Sequence, residues 1–121
     1  MRSIEQLYKD IEGVAEFSGI NIDGPETVGL FSNRPLHVAA IWNDCEAIDM
    51  LVAAGADINV KGEHGFTPLF EASAQDNYEA VKRLIELGAK AIRNDDGLLP
   101  SEYVSNTANE RTVNLLREHG L

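Results

Sequence analysis

The stretch Gly65–Ala72, which reads Gly-Phe-Thr-Pro-Leu-Phe-Glu-Ala, decides the fold because related stretches recur at a nearly fixed interval on both sides of it. One begins at Arg34 and reads Arg-Pro-Leu-His-Val-Ala, and another begins at Leu99 and reads Leu-Pro-Ser-Glu-Tyr-Val. Each copy has one proline: Pro35, Pro68 and Pro100. The second interval between these prolines is one residue shorter than the first. A glycine follows each proline at one identical spacing: Gly55, Gly88 and Gly120. The common spacing predicts a chain built from structural repeats.

These residues resemble the ankyrin repeats, whose unit of about 33 residues is a β-turn followed by two short helices, with a Thr-Pro-Leu-His-x-Ala opening. The resemblance covers residues 32–121 and includes Gly55–Asn59, which is similar to the Gly-Ala-Asp-Val-Asn that ends the second helix in the family. The chain departs from the pattern at Arg34, where threonine is usual, and at Phe70, where histidine is usual. The resemblance implies an all-α solenoid of about three helix-turn-helix repeats with short finger loops and an N-terminal capping helix.

The composition is typical of one globular domain, with 121 residues of which 44% are hydrophobic and 25% charged. The formal net charge is −10, from 20 acidic and 10 basic residues. Because phosphate backbones attract basic proteins, this charge argues against nucleic acid as a partner and favours a basic protein. No apolar run approaches the ~18 residues of a membrane span, and no signal peptide is recognisable. We therefore expect a cytoplasmic protein without membrane contact that is a monomer when free.

Residues 1–19 predict a capping helix. Ser3 and Gln6 have the spacing of a capping box, and apolar residues follow at steps of three or four until the helix breaks near Gly19. A solenoid needs such an end piece to cover the apolar face of its first repeat. Residues 20–31 contain Gly24 and Pro25 and lack a period, so they predict a loop that is either a packed cover or a functional element.

The rest of the chain divides into three predicted repeats: residues 32–64, 65–96 and 97–121. Repeats one and two are expected to contain four helices: Pro35–Trp42, Glu46–Ala54, Pro68–Gln75 and Tyr78–Leu87. We expect positive φ at Asn43, between the first two helices, because asparagine tolerates that conformation. The polar outer face of the last helix is what a terminal repeat requires, and it predicts that the array ends there. The expected inward residues are Ile48, Leu51, Val52, Leu69, Ala72, Val81, Leu84, Ile85, Tyr103, Val104, Val113 and Leu116.

The residues that could carry catalysis form no recognised arrangement. The three histidines occur in no zinc-binding motif, and no Gly-x-Ser-x-Gly is present. The resemblance implies that His37 stabilises a turn, and Asp95 and Asp96 are explained by ordinary turn chemistry. Cys45, the only cysteine, forms no internal disulfide and falls where the family has an inward leucine. We expect no enzymatic activity, no metal and no cofactor.

The remaining candidate function is protein binding. In the family, residues after the first helix of each repeat and residues beside the finger turn point into a concave groove. Trp42 is the main candidate contact because tryptophan is over-represented among interface hot spots, although the ring could instead pack against residues 20–34. The candidate binding residues at these positions are Asn33, Ile41, Trp42, Lys61, Glu63, His64, Phe66, Gln75, Asp95, Asp96 and Leu98, with Ala74, Asn106 and Thr107 beside them.

The resemblance and the acidity together predict a non-catalytic module that binds a basic protein. Short ankyrin proteins that this chain resembles include bacterial immunity proteins that neutralise toxins, so one expectation is that binding inhibits a toxin or effector enzyme. The alternative is an adaptor or scaffold that tethers its partner without inhibiting it.

Overall fold

The computed structural model describes residues 2–121, and all regular elements within this range are helical. Seven α-helices are present there: α1 (Ile4–Glu12), α2 (Pro35–Ile41), α3 (Cys45–Ala53), α4 (Pro68–Ala74), α5 (Tyr78–Glu86), α6 (Pro100–Tyr103) and α7 (Glu110–Glu118). Two short 3₁₀ turns occupy Ala15–Phe17 and Glu63–Gly65. The predicted all-α repeat fold is confirmed, and the helices of repeats one and two begin and end within one residue of the predicted bounds.

The helices form two rows. The first helices of the repeats, α2, α4 and α6, pack side by side, and the second helices, α3, α5 and α7, pack against them and against one another. Helix α1 packs on α2 and α3 and thereby covers the open side of repeat one. This placement agrees with the predicted capping role, since each unit of a solenoid is stabilised by its neighbours.

The joint between the two helices of a repeat has left-handed backbone geometry. Asn43 has a φ of 57° and Asp76, its equivalent in repeat two, has a φ of 55°. The prediction for Asn43 is therefore confirmed. Both side chains also reach the next repeat: Asn43 Oδ1 accepts the Ala80 N–H at 2.9 Å, and Asp76 Oδ1 accepts the Thr112 hydroxyl at 2.7 Å. The same residue thus makes the turn and fixes the spacing between repeats.

The N-terminal helix is shorter than predicted. It ends at Glu12, and a separate 3₁₀ turn follows in which Phe17 is completely buried. The predicted single helix extending to Gly19 is therefore wrong, because the break after Glu12 lets Phe17 enter the core. Ser3 Oγ accepts the Gln6 N–H at 3.1 Å as expected, but the Gln6 amide donates to Asp10 instead of returning to Ser3.

Most predicted core residues are buried. The exceptions are Val52 and Ile85, which are half-buried, Cys45, which is also half-buried, and Tyr103. The core assignment of Tyr103 is wrong: its side chain is 43% exposed, and one side of the ring packs against Phe66 and Phe70 of repeat two. The fully or nearly fully buried predicted residues are Ile48, Leu51, Leu69, Ala72, Val81, Leu84, Val104, Val113 and Leu116.

The segment between the capping helix and repeat one is packed onto the fold. The buried Ile22 donates its N–H to the Glu12 carboxylate at 2.7 Å, and the Glu26 carboxylate accepts the Asp57 N–H at 2.8 Å. These bonds tie the segment to α1 and to the end of repeat one, which agrees with a packed cover. Its end nevertheless exposes three apolar side chains: Val28, Leu30 and Phe31.

Candidate protein-binding surface

Three finger loops are built on one turn. In each, an N–H donates to the carbonyl four residues later: Gly29 to Asn33 at 2.7 Å, Gly62 to Phe66 at 2.8 Å and Asn94 to Leu98 at 2.9 Å. The fourth residue of each turn has positive φ: 73° at Ser32, 73° at Gly65 and 77° at Gly97. We call residues 29–33, 62–66 and 94–98 the first, second and third fingers. The first finger lies where the sequence predicted only the end of a loop.

The fingers are joined in sequence by hydrogen bonds. A backbone N–H near the tip of each finger donates to the unit before it, at distances between 2.7 and 3.1 Å. This regular linkage places the three tips in a row. The bonds run from Leu30 to the Glu16 carbonyl, from Glu63 to the Asn33 side-chain oxygen and from Asp95 to the His64 carbonyl.

The chemistry of the tips changes along the row. The first tip is apolar, with Leu30 55% exposed and Phe31 56% exposed. The second tip carries exposed Glu63 and His64, whose side chains lie 3.6 Å apart, and the third carries exposed Asp95 and Asp96. Four of these six residues were predicted from the sequence. Leu30 and Phe31 were missed, although they lie exactly one repeat length before Glu63 and His64 and could have been found from that interval.

Glu16 holds the first finger against the N-terminal segment. Its carboxylate accepts the Phe31 N–H at 2.6 Å and the Asn33 side-chain amide at 2.8 Å. Asn33 is only 9% exposed, and its oxygen accepts the Glu63 N–H at 3.1 Å. The polar groups of Asn33, a predicted binding residue, are therefore engaged in linking the first two fingers.

A cavity of about 170 Å³ opens beside the first finger. Ile41 and Trp42, at the end of α2, are 38% and 39% exposed and border this cavity together with Val14 of the N-terminal segment. The Trp42 ring is thus neither fully buried nor free in solvent. The residues that line the cavity are Val14, Glu16, Asn33, His37, Val38, Ile41 and Trp42.

The position two residues after the proline of each repeat has a different side chain in each case: His37, Phe70 and Glu102. In repeat one, His37 Nδ1 accepts the Arg34 N–H at 2.9 Å, and Nε2 lies 2.9 Å from the Phe66 carbonyl, to which it donates. Burial lowers the pKa of His37, so the neutral ring is favoured. The predicted structural role of His37 is confirmed. In repeat three, Glu102 accepts the Leu99 N–H at 2.8 Å, and this hydrogen bond lowers the pKa of Glu102.

In repeat two the equivalent residue is Phe70, which builds an aromatic cluster. Phe70 is fully buried and stacks on Phe66 with ring centroids 4.8 Å apart. Tyr103 meets the edges of both rings, at 5.1 Å from Phe66 and 5.8 Å from Phe70. Phe66, a predicted binding residue, is consequently half-buried and held in place before any partner arrives.

Glu71 follows Phe70 on α4 and has an unusual ionisation. Burial, the negative charge of Glu63 and a smaller effect of Glu16 raise its pKa to about 7, while His64 acts in the opposite direction. Within residues 2–121, no hydrogen bond contributes to this shift. Glu71 was not among the predicted binding residues, and it occupies in repeat two the position that Val38 has in repeat one.

The other predicted binding residues are exposed in the structure: Lys61, Gln75 and Leu98, with Ala74, Asn106 and Thr107 beside them. Between residues 2 and 121, no group of three or more His, Cys, Asp or Glu side chains could hold a metal ion. None of the helices in that range has the length and hydropathy needed to cross a membrane. We use the term groove face for the three finger tips, Glu71, and the residues at the ends of α2, α4 and α6.

Comparison with known proteins gives matches along nearly the whole chain. The family model described as ankyrin repeats (3 copies) matches residues 7–95 and 36–120. Protein phosphatase 1 regulatory subunit 27 of Mus musculus is 34% identical over 96 residues, which cover 78% of this chain and 62% of that protein. A putative ankyrin repeat protein of Rickettsia bellii is 43% identical over 63 residues, or 51% of this chain and 38% of that protein. The chain thus aligns with less than two thirds of the length of these relatives.

Proposed function

The chain belongs to the ankyrin-repeat family, and we propose that it is a non-catalytic module whose groove face binds a basic protein. Ankyrin repeats mediate protein–protein interaction, which gives the general function. The observation that carries the finer proposal is the pattern of the groove face, where exposed apolar side chains beside Trp42 are followed by acidic finger tips. The net charge of −10 adds long-range attraction for a basic partner.

We assign the contacts with the partner to the exposed parts of this face. We further propose that this protein acts in the cytoplasm and is a monomer before it binds. Trp42 and Ile41 supply apolar area, and Phe66 supplies a ring that is already fixed by stacking. A rigid aromatic contact loses little conformational entropy on binding, which favours affinity. The charged and polar contacts are assigned to Lys61, Glu63, His64, Gln75, Asp95 and Asp96, with Leu98 at the third finger.

Two outcomes of binding are proposed. The first is that the module neutralises its partner, as an inhibitor or immunity protein does, and the similarity to a regulatory subunit of a phosphatase supports a regulatory action. The second is that it tethers the partner as an adaptor and leaves its activity intact. A strongly acidic face favours the first, because it could cover a basic active surface.

The binding proposal is tested by affinity capture from the source cell with the wild-type protein and with Trp42→Ala. Loss of the ring should weaken binding by at least ~2 kcal/mol, the usual threshold for a hot spot. Lys82→Ala, an exposed change on α5, is the control and should leave binding unchanged. Equal binding by Trp42→Ala and the wild type would place the interface elsewhere on the molecule.

The two outcomes separate when the captured partner is assayed for its own activity with increasing amounts of this protein. An inhibitor lowers the activity in proportion to the complex formed. An adaptor leaves the activity unchanged at saturation.

A further inference from the structure

The groove face has two chemically different parts that lie side by side. The apolar part consists of the cavity beside Trp42, bordered by Val14, Val38 and Ile41, together with the exposed side chains of the first finger. A cavity of about 170 Å³ has the size of one bulky side chain rather than of a cofactor, since small-molecule sites usually enclose about 300–1,000 Å³. This part therefore suits an apolar side chain of a partner.

The acidic part begins one repeat further along. Glu71 stands at the position of Val38, and its charge is opposed by the nearby charges of Glu63 and Glu16. An added positive charge would relieve this repulsion and satisfy a carboxylate that is partly withdrawn from water. The second and third finger tips extend the negative surface with exposed Glu63, Asp95 and Asp96.

The distance between the two parts follows from helix packing. Val38 and Glu71 occupy equivalent positions on α2 and α4, which pack against each other. Packed helices lie about 8–10 Å apart, and an extended chain advances about 3.3 Å per residue. A segment that crosses from one helix to the next would thus pass both parts within about three residues.

We propose that the groove face binds a protein segment that places a bulky apolar side chain in the cavity beside Trp42 and an arginine or lysine at Glu71, about two to four residues apart. This inference rests on the proposed binding function and specifies the partner and its direction along the repeats. A second copy of the chain is a poor occupant, because each copy carries a net charge of −10 and the two would repel.

Such binding is coupled to the ionisation of Glu71. A cation at the carboxylate favours its charged form, so a proton is released on binding and affinity increases as the pH rises through about 7. The charged groups that act on Glu71 are Glu63 and His64 of the second finger and Glu16 of the N-terminal segment. Within residues 2–121, helices α2, α5 and α6 contribute no further charge to this shift.

The test begins with a phage-displayed library of random dodecapeptides that is panned against the full 121-residue protein at pH 8. Enriched peptides should share a bulky apolar residue and an arginine or lysine at the stated spacing. A synthetic peptide of this type without histidine is then titrated against the wild type, Glu71→Gln and Trp42→Ala. We expect Glu71→Gln to bind at least about tenfold more weakly at pH 8, the size of one charge-assisted contact.

The matched control is Glu79→Gln, which removes the same charge from an exposed position on α5 and should bind as the wild type does. The wild type should bind about tenfold more tightly at pH 8 than at pH 6, and Glu71→Gln should lose this dependence. The dependence should persist in His64→Gln, because the titrating group is Glu71.

The results distinguish failure of this inference from failure of the proposed binding function on which it rests. If peptides bind in a manner that depends on Trp42 but not on Glu71, or lack a basic residue, the inference is overturned while the groove remains the binding surface. If peptide binding is unaffected by both variants, the groove assignment fails as well. A library that yields no binder overturns the inference, and so does sedimentation that shows a dimer disrupted by Trp42→Ala.

Discussion

Leu51 in repeat one and Leu84 in repeat two are equivalent residues that are both fully buried, whereas the equivalent residues Val38 and Glu71 differ in size and in charge. The first pair lies between the helix rows, and the second lies toward the groove face. Where the repeats agree, the side chains make the contacts that every unit of a solenoid needs. Where they differ on the groove face, as at Val38 and Glu71, we propose that the differences determine what each repeat binds.

The largest expected effect concerns the equivalent leucines, Leu51 and Leu84. Leu51→Ala and Leu84→Ala should each lower the free energy of unfolding by about 2–5 kcal/mol, because each removes a completely buried side chain. Urea denaturation monitored by circular dichroism measures both losses. Leu87→Ala, at a half-buried position, is the control and should cost less. A loss well below this range at either leucine would contradict the similarity of the two repeats.

The sequence predicted this shared framework well because the regular interval between repeats reports which positions must be alike. The helices, the left-handed Asn43 and the structural role of His37 followed from that interval and from the family resemblance. The N-terminal helix was predicted less well, since it belongs to no complete repeat and the burial of Phe17 depends on a contact outside the helix. The position of Tyr103 depends on edge-to-face contacts with Phe66 and Phe70 of the preceding repeat, which a pattern along one helix does not show.

A second prediction exchanges a side chain between repeats. His37→Phe gives repeat one the residue of repeat two and removes both imidazole hydrogen bonds, to the Arg34 N–H and the Phe66 carbonyl. We expect a loss of about 1–3 kcal/mol in unfolding free energy, because two backbone groups lose a partner. Thermal or chemical denaturation measures it.

The control for this exchange is His119→Phe at the exposed end of the chain, which should change stability by less than about 0.5 kcal/mol. If His37→Phe is as stable as the wild type, stacking of the new ring has replaced the hydrogen bonds. The two repeats would then have interchangeable ways of closing the turn.

The groove face was predictable in part. Trp42, Glu63, His64 and the two aspartates of the third finger were found from the family positions, and all are exposed in the structure. Their role in binding stays a prediction. Glu71 was missed because its raised pKa depends on burial and on the charges of Glu63 and Glu16, which only the folded structure brings near it.

The smallest expected effect is a gain in the free energy of unfolding rather than a loss, and it concerns Glu71. Its folded-state pKa of about 7 lies above the ordinary 4.5, so the fold prefers the protonated carboxyl. The native protein therefore binds more protons than the unfolded chain between these values, and stability is lost as the pH rises from 4.5 through about 7. Glu71→Gln keeps a neutral side chain of similar shape and removes this loss. We expect a gain of about 1–2 kcal/mol at pH 8, reduced from the full value of the shift because the side chain is partly exposed.

The gain should decrease as the pH falls and vanish below 4.5, where the carboxyl is protonated in both the folded and the unfolded chain. Urea denaturation at a series of pH values from about 4 to 8 measures the difference. His37 acts in the other direction: burial lowers its pKa, so stability falls as the pH drops below about 6.5, the ordinary value for histidine. In the wild type these two effects oppose each other near neutrality, and Glu71→Gln should reveal a stability that rises with pH. Glu79→Gln, which is exposed, should keep the wild-type profile. A constant difference between Glu71→Gln and the wild type across this range would show that burial and the neighbouring negative charges do not raise the pKa of Glu71.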